Sequence, residues 1–226
     1  MEKSAIECLS IINNKERPNA IDFINNIFDN FIEIHGDRLC GDDKAIITGI
    51  ATIEDIPVTV IGQIRARTPL ERKEYNFSMA MPEGFRKALR CARQAEKFNR
   101  PIIFFVDTVG AYPGVEAEKR GQHSAISKNL MEFIFLKVPT FSILIGNGGS
   151  GGALTFSIAN EVCALENSVL SVISPKAGAN IIFKDSSREK EAASILKMTS
   201  DVLKDLKIVD NIIDEPNGGA HNCKDY

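Results

Sequence analysis

The sequence contains no tryptophan and only three tyrosines in 226 residues. Its five cysteines, Cys8, Cys40, Cys91, Cys163 and Cys223, are widely scattered. None forms a C-x-x-C pair, which excludes a zinc ribbon and a thioredoxin-type motif. Reduced thiols in a cytosol-like compartment are the expectation, and no metal is expected on this chain. No stretch reaches the ~18 apolar residues of a membrane span. The first sixteen residues carry no long apolar region, so a soluble, cytoplasmic protein with no membrane partner is expected. No glycine cluster continues into Gly-Lys-Ser/Thr, which excludes a P-loop. Charge of one sign is also missing: 27 basic residues against 30 acidic ones give a net charge of -3. That balance provides no basic footprint for nucleic acid.

What is present is an ordinary globular composition, 44% hydrophobic and 25% charged, with enough length for one domain and a full core. Residues 20–34 carry Ile21, Ile24, Ile27, Phe28, Phe31 and Ile32 at helical spacing, which predicts an amphipathic helix. Residues 45–53 and 58–64 are β-branched runs that read as a hairpin. Pro82-Glu83 opens a predicted helix with Phe85, Ala88, Leu89, Ala92 and Ala95 on one stripe. The run 101–106 is wholly apolar, ends at Asp107 and suits a buried parallel strand. A glycine loop at 110–114, a helix over 116–135 and a strand over 140–145 follow. A second glycine loop leads into a short helix, then strands at 162–165 and 169–173 and a helix over 189–206. Alternating strands and helices predict an α/β fold with a parallel sheet. The tail 216–226 reads as mobile.

The segment Gly146-Asn147-Gly148-Gly149-Ser150-Gly151-Gly152 lies between a strand and a helix, where free main-chain N–H groups can receive an anion. Three chemistries fit it. Gly146, Gly148 and Gly151 match a dinucleotide fingerprint, with Glu166 near the ribose-ligand spacing. Gly148, Ser150 and Gly152 match the G-x-S-x-G elbow of a serine hydrolase. Such a hydrolase would need His221 with Asp210 or Asp214, or else His123. The amides of Gly151 and Gly152 could instead pair as an oxyanion hole. A second strand–glycine–helix junction, at Gly110 and Ala111, would open on the same edge of a parallel sheet. Arg65, Arg67, Arg72 and Lys73 form a short basic stretch that reads as an anion site or as a solvated loop.

An ordered series of motifs then carries a resemblance. It comprises Gly36-Asp37-Arg38, Asp42-Asp43-Lys44-Ala45, Asn76-Phe77, the stretch from Pro82 to Arg90, Gly110-Ala111-Tyr112-Pro113-Gly114 and Glu118-Lys119-Arg120-Gly121-Gln122. Residues 148–154, 171–175 and Glu215-Pro216-Asn217-Gly218-Gly219-Ala220-His221 complete it. From about Arg17 to His221 the chain resembles the α subunits of the carboxyltransferase of bacterial-type acetyl-CoA carboxylase, in the crotonase-like superfamily.

The resemblance implies a spiral of β-β-α units, with a helical segment over 1–35 and the carboxyltransferase domain over 36–226. It implies carboxybiotin on a biotin carboxyl carrier protein as carboxyl donor, acetyl-CoA as acceptor and malonyl-CoA for fatty acid synthesis as product. It also implies a zinc-ribbon β subunit as partner in an α2β2 heterotetramer. Gly151 and Gly152 would hold the ureido oxygen of biotin. Gly110, Ala111, Gly148, Gly149, Arg65 and Arg67 would shape the substrate site. Asn147, Lys176, Val109 and the loop from Gln63 to Thr68 depart from the family pattern, which points to a diverged paralogue, with another acyl substrate or no catalysis as alternatives.

Overall fold

The computed structural model describes residues 3–223. Two helices lead, α1 (Ala5–Ile12) and α2 (Ala20–Ile27), each opened by a reciprocal side-chain cap, Ser4 with Glu7 and Asn19 with Asp22. The helix expected over 20–34 stops at Ile27. Phe28 turns extended at φ -113° and ψ 148°, and Asn30 takes φ 54°, which no continuing helix permits. The chain instead forms strand β1 (Asp29–Glu33), antiparallel to β2 (Ile46–Ile53). The expected hairpin is present: β2 and β3 (Ile56–Gln63) pair in unbroken antiparallel register. Glu54 and Asp55 turn between them with φ 48° and 64°, the two positive values of a tight hairpin turn.

Next come α3 (Pro69–Glu74), the short β4 (Met79–Ala80) and α4 (Pro82–Lys97), opened by its N-terminal proline. Strand β5 (Ile102–Thr108) leads to β6 (Gly110–Ala111), which pairs with β4 in a separate two-stranded sheet. The helix expected over 116–135 is two helices, α5 (Val115–Lys119) and α6 (Gln122–Phe133), broken where Gly121 takes φ 84°. Strand β7 (Thr140–Gly149) runs straight into α7 (Ser150–Leu154).

Strands β8 (Glu161–Leu165) and β9 (Val169–Ser171) precede α8 (Pro175–Phe183) and α9 (Glu189–Leu196). Lys197, at φ 49°, separates α9 from α10 (Ser200–Asp205), so the helix expected over 189–206 is also divided. Strand β10 (Asn211–Ile213) closes the set. The tail expected to be mobile is packed through residue 223. Ala220 is buried and its N–H donates to Glu215 at 2.7 Å. Residues 224–226 lie outside the described residues.

The main sheet runs β1-β2-β3-β5-β7-β8-β10, antiparallel at its first two junctions and parallel from β3 onward. Alternation along β5 builds both cores. Ile102, Phe104 and Val106 enter the layer under α4 and α6, where Phe104, Phe133 and Phe156 meet. Ile103 and Phe105 enter the layer under α2, where Phe105 stacks on Phe23 and meets Phe28 edge-on. Strand β7 changes neighbours along its length: residues 141–144 pair with β8, residues 147–149 with β9. The far end of β7 lies against β6 and leads into α7.

Candidate active site

The site forms where the ends of β5 and β7 meet. A Cβ built on Gly152 would sit 2.7 Å from the nitrogen of Ala111 and the carbonyl carbon of Gly110. One on Gly149 would lie 2.4 Å from the carbonyl of Val109. The two glycine loops are therefore pressed backbone to backbone, and no side chain fits between them. The sequence pattern alone brings Gly110, Ala111, Gly149, Gly151 and Gly152 into one place, and the structure does so too. Gly148 is buried in the ladder against Thr108 and Leu170.

Among these glycines the left-handed conformation is not what the 148–152 segment needs. Ser150 is the residue with positive φ, at 55°, a strained choice for a residue with a side chain. A Cβ added to Gly151, next along, would meet no atom within 4 Å, so its face is open space. No side chain caps α7, and among the described residues no acceptor takes the N–H of Gly151 or Gly152. Their carbonyls are committed: Gly151 O receives the N–H and hydroxyl of Thr155 at 3.1 and 2.8 Å. Gly152 O receives Gln63 Nε2 at 2.9 Å from the end of β3. The peptide plane that carries the Gly152 N–H is thus anchored by its oxygen, Gly151 O, and the next plane by Gly152 O, while the N–H groups of Gly151 and Gly152 stay unclaimed.

Beside this turn lies a cavity of about 140 Å³, lined by Ser150, Asn147 and Gly149 and by the apolar Leu9, Val109 and Ile173. On the other flank of Val109 a second hollow of about 230 Å³ is bounded by Arg65, Arg72 and Phe77. Arg65 and Arg72 also wall a third, of about 180 Å³, with Lys15, Arg17, Arg67 and Asp107. Arg67 pairs with Asp22 at 2.9 Å. Arg65 donates one nitrogen to Asn13 at 2.5 Å, and its other terminal nitrogen is buried without a partner. Asp107 is buried beneath them. Burial pushes its carboxyl up, against the charge of Arg65, the hydrogen bond from the Asn147 N–H and the charge of Arg17. Lys176 is exposed in the first turn of α8.

The alternative chemistries lack their parts. Glu166 is engaged with Lys3 at 2.6 Å, and α7 is five residues long, too short for a dinucleotide-binding crossover. Ser150 takes a positive φ on a sharp strand-to-helix turn, as a nucleophile elbow requires, yet among the described residues no histidine bonds to it. His123 projects from α6 toward Glu118 with its side chain 84% exposed, and His35 faces Asp42 and Glu33. His221 packs against Gly219 with its Nδ1 buried and unpaired. Sequence reasoning gave no role to Asp107, Arg17 or Gln63. A carboxylate ending the apolar run of β5 was the available signal for the first.

A family model described as acetyl co-enzyme A carboxylase carboxyltransferase-like matches residues 3–226. The acetyl-coenzyme A carboxylase carboxyl transferase subunit alpha of Clostridium acetobutylicum is 56% identical over 214 residues, which covers 95% of this chain and 78% of that protein. A Clostridium tetani protein named as subunits beta/alpha of the same enzyme is 52% identical, over 94% of this chain and 37% of its own length. Among solved structures, transcarboxylase 12S with methylmalonyl-coenzyme A bound superposes with a TM-score of 0.77 at 20% identity, over 95% of this chain and 42% of that one. The last of these speaks for the crotonase-like fold alone; the extent and identity of the sequence matches place this chain in the family of acetyl-CoA carboxylase carboxyltransferase α subunits.

Proposed function

We propose that this chain is the α half of a carboxyltransferase that moves a carboxyl group from carboxybiotin, held on a biotin carboxyl carrier protein, to acetyl-CoA, giving malonyl-CoA for fatty acid synthesis. The observation that carries the reading is the unclaimed pair of N–H groups at Gly151 and Gly152, on a turn whose Gly149 and Ser150 line a cavity of about 140 Å³. A cavity near 150 Å³ accommodates a benzene-sized group, so a ring bearing a ureido oxygen fits the space. When bound, carboxybiotin supplies the carboxyl group and, once it has given that up, the base that takes a proton from the acetyl methyl.

The residues of this chain then have little proton chemistry to do. The amides of Gly151 and Gly152 donate to the oxygen on which negative charge grows, and one such donor is worth about 2.7–4 kcal/mol of barrier. Thr155 holds the carbonyl of the peptide unit that carries the Gly152 N–H, and Gln63 holds that of the next unit, so the turn is fixed before reaction. Leu9, Val109 and Ile173 keep water from the oxygen. The hollow bounded by Arg65, Arg72 and Phe77 suits the phosphates of coenzyme A. The backbone of residues 110 and 111 backs Gly152 and holds it in place.

A site built from main-chain donors on one side needs a second protein to present the thioester. The Clostridium tetani relative whose name joins beta and alpha supports a β subunit in that role; on this proposal that subunit carries the zinc ribbon and the assembly is an α2β2 heterotetramer in the cytoplasm. The test is coexpression with a β subunit and measurement of malonyl-CoA decarboxylation driven by free biotin. The pair is expected to turn over and the α chain alone to be silent. A pair that forms but transfers no carboxyl group with any acyl-CoA would refute the catalytic reading.

A further inference from the structure

Opposite Asp107 the ladder between β5 and β7 slips. Val106 faces Leu144 and Thr108 faces Gly148, so the single residue 107 stands against the three residues 145, 146 and 147. A bulge bends its strand and leaves main-chain groups without ladder partners. Leaving such a group buried and unpaired costs about 1–3 kcal/mol.

Two side chains meet that need. Asp107 Oδ1 accepts the N–H of Asn147 at 2.9 Å. Arg17 donates to the carbonyl of Ile145 through Nε at 3.1 Å and Nη2 at 2.8 Å. Between them Gly146 has no room for a side chain, because a Cβ would lie 2.6 Å from the Asp107 carboxylate. Arg17 is braced in turn by a bidentate pair with Glu215, both bonds 2.7 Å and both side chains at most 2% exposed. Glu215 also takes the N–H groups of Asn167 and Ala220, at 3.0 and 2.7 Å. Three residues beyond Asn147 the chain reaches Ser150 and the two amides.

We propose that Asp107 and Arg17 are positioning residues that hold the β7 bulge in one shape and so aim the amides of Gly151 and Gly152. Glu215 and the segment after it belong to the same device as the brace of Arg17. The proposal rests on reading those amides as the oxyanion receptor, and it explains why residues from both ends of the chain converge behind the site. Asp107 touches no reacting atom. It acts through the strand.

The experiment uses the α chain purified with its β subunit, in the malonyl-CoA and free-biotin assay. Asp107→Ala removes the acceptor, and misaiming of the amides by about 1 Å is expected to lower kcat by about 100-fold. KM for malonyl-CoA should stay within roughly twofold, since ground-state binding is untouched. Asp107→Asn keeps an oxygen at the Oδ1 position and should restore most of the rate. Amide exchange in residues 145–152, followed by mass spectrometry, should quicken in the alanine variant and not in the asparagine one.

Wild-type turnover in Asp107→Ala overturns the proposal. So does an Asp107→Asn variant as slow as Asp107→Ala, because the carboxylate would then be acting by its charge. Should Asp107→Ala not fold, Arg17→Lys replaces it. One ammonium cannot reproduce the fork to Ile145 O and Glu215, so kcat should fall while KM holds, and unchanged turnover again overturns the idea. Gly151→Val separates the two layers. If it is inactive while Asp107→Ala is normal, the receptor stands and the bulge clamp goes; if it is fully active, the receptor itself goes.

Discussion

Gly151→Val is the sharpest perturbation the site permits, because the structure separates its effect on rate from its effect on stability. Around a Cβ at Gly151 nothing lies within 4 Å, and its φ is outside the left-handed region. The fold therefore tolerates the side chain. Helix propensity differs between glycine and valine by less than about 0.5 kcal/mol. For a chain of this size that moves Tm by no more than about 2 °C. The isopropyl group fills the space in front of the free amides and keeps an incoming oxygen from reaching them. Loss of one donor costs about 2.7–4 kcal/mol, or 10²–10³-fold in kcat.

Gly152→Ala is the contrast. Its methyl would meet the Gly110 and Ala111 backbone at 2.7 Å, so overpacking should cost about 1–3 kcal/mol of stability along with activity. The assay is malonyl-CoA decarboxylation by the α/β pair with free biotin, beside a thermal melt. A Gly151→Val enzyme with wild-type kcat and an unchanged melt would refute the main-chain mechanism.

Other outcomes follow from the same geometry. Ser150→Ala should keep carboxyl transfer within about threefold, since no step uses its hydroxyl, and a fluorophosphonate should not label Ser150. Stoichiometric labelling with loss of turnover would reinstate the hydrolase reading. Arg65→Ala should raise KM for the acyl-CoA about tenfold, near 1.4 kcal/mol, with kcat held and the salt dependence of KM reduced; an unchanged KM removes Arg65 from the binding site.

Glu215 makes a prediction about pH. Burial pushes its carboxyl up, but the hydrogen bond and charge of Arg17 outweigh this and hold it at about 2 instead of 4.5. A lowered folded value means the stabilisation is complete above pH 4.5 and lost as pH falls toward 2. At 1.36 kcal/mol per unit this is about 3 kcal/mol. Denaturant midpoints at pH 7, 4.5 and 3 should fall more steeply on the acid side for wild type than for Glu215→Gln. The variant should start about 3–5 kcal/mol lower, because Arg17 is left buried without its partner. Equal acid-side slopes would contradict the assignment.

Much of the fold was legible because periodicity speaks for itself in the middle of the chain. The run 101–106 reads as a buried strand, and β5 sends successive residues into the two cores. The helix stripe at 82–97 also reads directly, because Phe85, Ala88, Leu89 and Ala92 form a continuous buried face. The reading failed where apolar spacing suited two structures. Phe31 and Ile32 continue the helical pattern of α2, yet they lie in an edge strand because the backbone turns extended at Phe28 and Asn30 takes a positive φ. Single residues with positive φ, Gly121 and Lys197, cut two long helices that composition alone would leave whole.

Many of the motifs that make the family recognisable prove to be scaffold. Asp37 binds Arg86 at 2.7 Å and collects the amides of Leu39, Cys40 and Gly41. Lys87, 1% exposed, reaches Asp42 at 2.6 Å. Asp43 receives Ala45 N, Met81 N and Asn76 Nδ2. Together they pin residues 36–45 onto α4 and so fix β4, whose partner β6 bears Gly110 and Ala111.

At the candidate site the sequence singled out one turn and left its chemistry open for a physical reason. G-x-S-x-G describes a strand that breaks sharply into a helix, and here β7 gives way to α7 at Ser150, which takes a positive φ. The same break, whatever follows it, exposes main-chain donors, so one local pattern serves a nucleophile or an anion receptor equally well. What decides between them is what faces the turn across the fold: histidines turned elsewhere, an apolar hollow, and arginines beyond Val109. Those are long-range facts. So is the slip opposite Asp107, which depends on how two strands forty residues apart align, and no local spacing rule encodes it.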